Sequence, residues 1–281
     1  MHNPYQSQPA KIIDISAQTD NIKLFRFEFE KKILAGNFNF KPGQFVELSI
    51  PGFGESPFAP CSAPGTKYLE LCIRNTGKLT EKLHALKIGE QVGIRGPYGR
   101  GWPVQVQSSK FKVQSSDKKN LLIVVGGLGL IPLRTLILGK DKFLDKDAKI
   151  QIFYGTRLPQ EMLFRYEYNR WRAKGVKINL TVDKKCPDWV GCVGLVPTLF
   201  DQFPLIENVK VFLCGPPVMY KSVLEKLKKG GVADRDIFLS LERRMHCGLG
   251  VCQHCGVGSY YTCKDGPVFA YEQIKNIPGA I

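Results

Sequence analysis

Cys247, Cys252, Cys255 and Cys263 crowd together in the pattern Cys-x4-Cys-x2-Cys followed by a fourth cysteine. At this spacing four thiolates hold a [2Fe-2S] cluster. Glycines at 248, 250, 256 and 258 suit that chemistry, because backbone N–H groups approach sulfide closely where no side chain intervenes. Four thiolates also suit tetrahedral zinc, although zinc ribbons usually present two close Cys-x2-Cys knuckles and only one exists here. His246 and His254 lie in the same loop; the cysteines already complete a ligand set, so both histidines are expected beside the metal or on the surface.

A second chemistry is written in glycine. Gly126-Gly127-Leu128-Gly129 follows the apolar run Leu121 to Val125 and precedes a helix that opens near Pro132. Small residues let the backbone approach a pyrophosphate, and a helix N-terminus offers N–H groups to it. It is not the full G-x-G-x-x-G fingerprint, and a tight strand-to-helix turn without a ligand uses the same residues. Cys214-Gly215-Pro216-Pro217-Val218-Met219 repeats the arrangement after the apolar run Val209 to Cys214. Two such turns at the carboxyl ends of parallel strands point to a nicotinamide dinucleotide, NAD(P)H. Tyr154-Gly155-Thr156-Arg157 ends a further strand, where the adenosine ribose usually lies, and Asp183 follows the run Val176 to Val182. Arg157, assisted by Arg165, could pair with a 2'-phosphate and favour NADPH; the other reading is a solvated arginine.

Two segments nearer the start are candidates for a second cofactor. Cys72 and Arg74 lead into Asn75-Thr76-Gly77-Lys78-Leu79-Thr80, with Thr80 expected to cap a helix over Glu81 to Leu86. A cation and free N–H groups suit another pyrophosphate. Ser56-Pro57-Phe58-Ala59-Pro60-Cys61-Ser62 reads as a rigid turn that could wall a flat aromatic ring, or equally as a packed loop.

These sites need two scaffolds. From Ala10 to Val104 short strands alternate between Pro and Gly turns, as in a small antiparallel barrel: Phe25, Phe27 and Phe29 alternate with Arg26, Glu28 and Glu30; Val46, Leu48 and Ile50 with Glu47 and Ser49; Leu69, Leu71 and Ile73 with Glu70, Cys72 and Arg74. Residues 105–119, rich in Ser, Gln and Lys, read as a linker. Beyond it, continuous apolar runs alternate with helices, one of them expected from Pro159 to about Lys174, which gives a doubly wound parallel sheet over 120–236. The remainder, 237–281, fits neither pattern and is expected to be a separate small segment for the cluster.

Composition narrows the rest. A chain of 281 residues, 43% hydrophobic, can bury more than one core. The +15 charge is spread along the chain with no basic helix interleaved with aromatics, so an acidic protein partner is a better use of it than nucleic acid. No run approaches the roughly 18 to 20 apolar residues that span a bilayer, and Met1-His2-Asn3-Pro4-Tyr5 lacks the features of a signal peptide. A cytoplasmic location without membrane insertion is therefore expected, with the nine cysteines reduced.

In their order these motifs resemble the ferredoxin NADP reductase superfamily. More narrowly, the chain resembles the gamma, or diaphorase, subunits of cytosolic NiFe hydrogenases of the sulfhydrogenase type and the corresponding subunit of anaerobic sulfite reductase. Lys41-Pro42-Gly43-Gln44-Phe45, Gly96-Pro97-Tyr98-Gly99, Leu241-Glu242-Arg243-Arg244-Met245 and Lys264-Asp265-Gly266-Pro267-Val268-Phe269 carry the likeness beside the turns above, almost end to end. The resemblance implies FAD in the barrel, NAD(P)H on the sheet, a [2Fe-2S] cluster in the tail, and Cys214 near the nicotinamide and flavin rings unless it is a buried structural thiol. It also implies the iron-sulfur and catalytic subunits of a hydrogenase or of a sulfite or sulfur reductase complex as partners. Two departures stand out: the superfamily's flavin motif Arg-x-Tyr/Pro-Ser is missing its arginine, with Ala59 where serine is common, and the span from Cys255 to Cys263 is short. The electron-transfer subunit of dihydroorotate dehydrogenase shares all three cofactors, and a zinc-binding adaptor is the reading from another class.

Overall fold

The computed structural model describes residues 3–30, 38–104 and 120–281; the expected linker lies outside them. The chain divides into two compact units. One comprises Met1–Gly101, Ile131–Leu136 and Glu242–Pro267, the other Trp102–Leu130, Ile137–Leu241 and Val268–Ile281.

The first unit is built on β1 (Gln8–Thr19), β2 (Ile22–Phe29), β3 (Phe45–Ile50), β4 (Gly54–Phe58), β5 (Leu69–Arg74) and β6 (Gln91–Tyr98), in the order β4-β3-β6-β1-β2-β5. Every neighbouring pair is antiparallel. Past β4 the chain turns so that Pro60 bridges Leu71 and the Cys61 amide donates to the Glu70 carbonyl at 2.9 Å, which joins the two edge strands. The alternation gives the interior: Phe25, Phe27 and Phe29 pack with Val46, Leu48, Leu71 and Ile94, each such side chain worth about 2 kcal/mol of burial. Helix α1 (Lys78–Ala85) adds Leu79 and Leu83 to that core.

The outer face departs from what alternation implies. Glu47, Glu70 and Cys72 are buried as deeply as the interior residues. For Glu70 the reason is a charge network. Its carboxylate takes Arg26 Nη2 at 2.9 Å and Arg134 Nη1 at 2.7 Å, and the same Arg134 nitrogen donates to the Cys61 carbonyl at 2.7 Å.

The second unit holds a parallel sheet of β7 (Asn120–Gly126), β8 (Ile150–Thr156), β9 (Val176–Val182), β10 (Cys192–Val193), β11 (Val209–Cys214) and β12 (Ile237–Ser240), ordered β10-β9-β8-β7-β11-β12. Helix α2 (Ile131–Leu138) belongs to the first unit up to Leu136, and the second unit's own helices include α3 (Tyr168–Ala173) and α4 (Pro217–Lys229). The helix expected from Pro159 does not run through: Phe164 adopts φ 55°, and only Tyr168–Ala173 is α-helical. Among the described residues no helix is long and apolar enough to cross a membrane.

Nor does the tail from residue 237 form a body of its own. Ile237–Ser240 is a sheet strand, and Val268–Ala270 returns as an antiparallel strand beside it; only Glu242–Pro267 leaves, to pack in the first unit. That excursion contains the short hairpin of β13 (Gly256–Val257) and β14 (Tyr260–Tyr261), which makes Val268–Ala270 the strand β15. It is pinned again where it ends, for the Arg100 amide donates to the Gly266 carbonyl.

Removing one partner from a buried ion pair strands the other, at a cost of about 3 kcal/mol. Arg134→Met should therefore lower the denaturant midpoint of the first unit, and the double change Arg134→Met, Glu70→Met should recover much of the loss. Equal losses in the single and double variants would remove the network from the stability of this unit.

Candidate functional site

At the carboxyl edge of the sheet the two glycine turns come together. Strands β8, β7 and β11 are adjacent, with Gly155 beside Gly126 and Val125 beside Cys214. The turns that follow touch: a Cβ on Gly129 would run into the Cys214 carbonyl, and one on Gly215 would meet Met219 Cε at 2.7 Å and the Gly126 nitrogen at 2.9 Å. Gly127 takes φ 54°. Leu128 lies in the single 3-10 turn Gly127–Leu130, with Pro132 in the first turn of α2 behind it. Pro216 and Pro217 open α4, and Cys214 is buried at the strand end.

The same edge carries the candidate ribose site. Thr156 Oγ1 donates to the Leu158 carbonyl at 2.8 Å, and the Asp183 amide donates to the Thr156 carbonyl at 3.0 Å. Arg157 is not left open: Glu161, four residues on, holds it at 3.1 Å. Burial raises the Asp183 carboxyl above its ordinary range and Glu161 raises it further, against the pull of Arg157 and Lys184. A 2'-phosphate would have to displace Glu161 from Arg157 beside a second carboxylate, which weighs against the NADPH preference expected from Arg157 alone. Arg165 is exposed on a separate 3-10 turn.

In the barrel, the segment expected as one rigid turn is a strand at its start, for Pro57 and Phe58 pair with Glu47 and Val46 in β4, and the bridge between Pro60 and Leu71 then brings Ala59, Cys61 and Ser62 against β5. Ser62 Oγ accepts the Glu70 amide at 2.6 Å, and burial pushes the Cys72 thiol well above its usual range. Arg74 ends β5, and Gly77 rather than Thr80 caps α1. Thr80 stands one turn inside and accepts the Thr76 and Gly77 amides at 2.9 Å each, so those N–H groups are already used. The amides at the start of α1, at Lys78 and Leu79, are the ones a helix leaves for a ligand. Sequence reasoning missed Arg134, which ties this turn to α2 through the Cys61 carbonyl.

The cysteine loop is preorganised around sulfur. Cys247 Sγ accepts amides of Leu249 and Val251 at 3.3 Å and of Cys252 at 3.5 Å; Cys263 Sγ accepts Gly250 at 3.0 Å. Burial alone would raise the Cys247 thiol, but these amides and the Cys252 side chain bring it below the ordinary thiol range, towards the thiolate a metal needs. Gly248, Gly250 and Gly258 take φ of 73°, 77° and 56°, as close N–H approach requires, whereas Gly256 lies in β13. The sulfurs fall in two pairs, Cys247 with Cys252 and Cys255 with Cys263, the second at 3.2 Å. Among the described residues no three His, Cys, Asp or Glu side chains gather about a point that would hold one ion. Two pairs suit a binuclear centre better than tetrahedral zinc. The pair Cys255 and Cys263 is buried with Phe45 of β3 and against Tyr98, whereas Cys252 is exposed, as are His246 and His254, whose rings stack edge to face at 4.4 Å.

Family models match the chain in three stretches: an oxidoreductase FAD-binding domain over residues 9–102, an oxidoreductase NAD-binding domain over 123–225, and an iron-sulfur cluster binding domain of dihydroorotate dehydrogenase B over 242–275. The chain is 38% identical to sulfhydrogenase 2 subunit gamma of Pyrococcus furiosus, covering 99% of this chain and 100% of that protein. It is 32% identical to a protein of Methanocella arvoryzae described as a probable dihydroorotate dehydrogenase B (NAD(+)) electron transfer subunit, over 94% and 91% of the two chains. The solved structure of an NADH-dependent reduced ferredoxin-NADP oxidoreductase superposes with a TM-score of 0.74 at 21% identity, covering 94% of this chain and 89% of that one, and so shares the fold.

Because the backbone of one turn fills the place of a Gly129 side chain, Gly129→Ala should separate the two glycine turns. The expected result is at least a tenfold higher KM for the nicotinamide nucleotide, about 1.4 kcal/mol, with iron content unchanged. An unaltered KM in a stably folded variant would show that the turns do not act together.

Proposed function

Since this chain belongs to the ferredoxin NADP reductase superfamily, alongside the sulfhydrogenase gamma subunits, we propose that it is the diaphorase subunit of a hydrogenase or of a sulfur or sulfite reductase complex, passing electrons between NAD(P)H and a partner's iron-sulfur centre. It is an NAD(P)H-, FAD- and iron-sulfur-dependent electron-transfer oxidoreductase and part of a larger complex. The observation that carries the reading is the presence in one chain of two touching glycine turns at a sheet edge and four cysteines in two amide-lined pairs.

The residues divide the work. Gly126, Gly127, Gly129 and Gly215 let a pyrophosphate approach the helix openings, and Cys214 ends the strand against which the nicotinamide would lie. Residues 57–62, with the opening of α1, would hold the flavin and its pyrophosphate. When bound, the flavin takes the electron pair of a hydride and passes electrons singly to an iron-sulfur centre. Cys247, Cys252, Cys255 and Cys263 would hold that centre, and the amides aimed at Cys247 and Cys263 favour added negative charge there.

Anaerobic titration of the purified chain with NADH, followed by visible and EPR spectra, tests the reading. Flavin bleaching and a reduced [2Fe-2S] signal are expected, and Cys252→Ser should abolish the second while leaving the first. A colourless protein containing zinc would end the proposal and favour the adaptor.

The exposed side of the cysteine loop bears on the partner. Arg244, His246, Val251, Cys252, His254 and Lys264 are all exposed along this loop, and Arg243 is half-buried. Such a rim steers an acidic redox protein. Changing Arg244 and Lys264 to glutamate should slow transfer to the purified partner at least tenfold at low salt and flatten its salt dependence. An unaltered rate and salt dependence would place docking elsewhere.

A further inference from the structure

The outer faces of β3 and β6 carry an arrangement that a barrel does not need. Across these strands Phe45 stands opposite Tyr98 and Glu47 opposite Arg95. Glu47 is 1% and Arg95 5% exposed, so two ionisable side chains are taken out of water on the side of the sheet away from the barrel core. A guanidinium so placed must be fully engaged.

Arg95 is engaged on three sides. Its Nε and Nη2 fork onto the Glu55 carboxylate of β4 at 2.8 and 2.5 Å. Its Nη1 donates to the Cys247 carbonyl at 2.8 Å and lies 3.3 Å from the Tyr98 hydroxyl, and Nη2 reaches the His246 carbonyl at 3.4 Å. One side chain thus joins two barrel strands to the two residues that open the cysteine loop. The next residue, Gly248, lies flat on the same patch: a Cβ there would meet Glu47 Oε1 and the Tyr98 ring at 3.3 Å and Arg95 Nη1 at 3.4 Å.

We infer that Arg95 is a positioning residue for electron transfer, clamping the first cysteine of the loop to the barrel and so fixing the gap that electrons cross between flavin and cluster. The inference rests on the cysteines holding a cluster, as proposed above. It follows from the geometry because the loop is glycine-rich and carries little core of its own, while the rate of electron tunnelling falls steeply with distance. Lysine cannot fully replace this side chain, having one charge centre where four partners, Glu55, Tyr98 and the Cys247 and His246 carbonyls, are met by a planar fork.

The test uses the full chain loaded with FAD and cluster, mixed with NADH in a stopped-flow instrument. The quantity read is the rate of cluster reduction divided by the rate of flavin reduction. For Arg95→Gln this ratio should fall at least tenfold, with Arg95→Lys intermediate. Amide exchange across residues 246–250 of the resting protein should quicken at least tenfold in Arg95→Gln, a readout that needs no turnover. A wild-type ratio and wild-type exchange in an iron-replete variant would overturn the clamp. Should Arg95→Gln fail to retain iron, Glu55→Gln decides, because it keeps the guanidinium and weakens its anchor: a ratio lowered about threefold supports the inference, and an unchanged ratio overturns it. A wild-type chain whose cluster NADH never reduces would instead sink the electron-transfer reading itself, before any variant is made.

Discussion

A loop made of glycine and cysteine cannot bury enough apolar surface to hold its own shape, and most of this structure's departures from simple patterning follow from that constraint. The loop must borrow a core. Phe45 and Tyr98 supply it on the outside of the barrel, against Cys255 and Cys263. Because that outer face is then covered, polar groups that would have met water must find partners inside the protein. Arg95 is fully engaged there, but the neighbouring Glu47 keeps one oxygen with no hydrogen-bond partner, and burial drives its carboxyl up to about 8 despite the pull of Arg95. A similar demand arises at Glu70, met there by Arg26 and Arg134.

What is local in these sites is legible in the sequence. The glycine turns after Val125 and Cys214 and the parallel strands before them are short-range patterns, and each is found where expected. What is not legible comes from long-range cover. A glutamate between Val46 and Leu48 reads as the solvent side of a strand, since alternation carries no information about what later lies on top of it. Arg95 and Arg134 have no pattern at all, and their importance lies wholly in partners far along the chain. The tail escapes prediction for the same reason: three residues, Val268–Ala270, are too few to announce a strand, yet they complete a sheet begun much earlier. The break at Phe164 also leaves no signal, because a phenylalanine with φ 55° is held by its surroundings, where Tyr154 and Tyr168 bond the Leu163 backbone.

The two cofactor-facing halves solve the same steric problem differently. On the sheet, glycine is used so that two turns can touch, and the missing side chains are filled by backbone. In the barrel, a hydroxyl does the bracing: Thr80 ties the loop before α1, and Ser62 ties the turn after β4 to β5.

Arg95 and Cys247 are separated by 152 positions, and between them the chain runs through the six parallel strands of the sheet. Contacts of such span form late, because the entropy of closing so large a loop must be met by structure already in place. In small zinc domains the ion is the nucleus about which an otherwise unfolded chain condenses. Here the loop has a second source of shape beside its metal, because the barrel already grips the Cys247 and His246 carbonyls through Arg95.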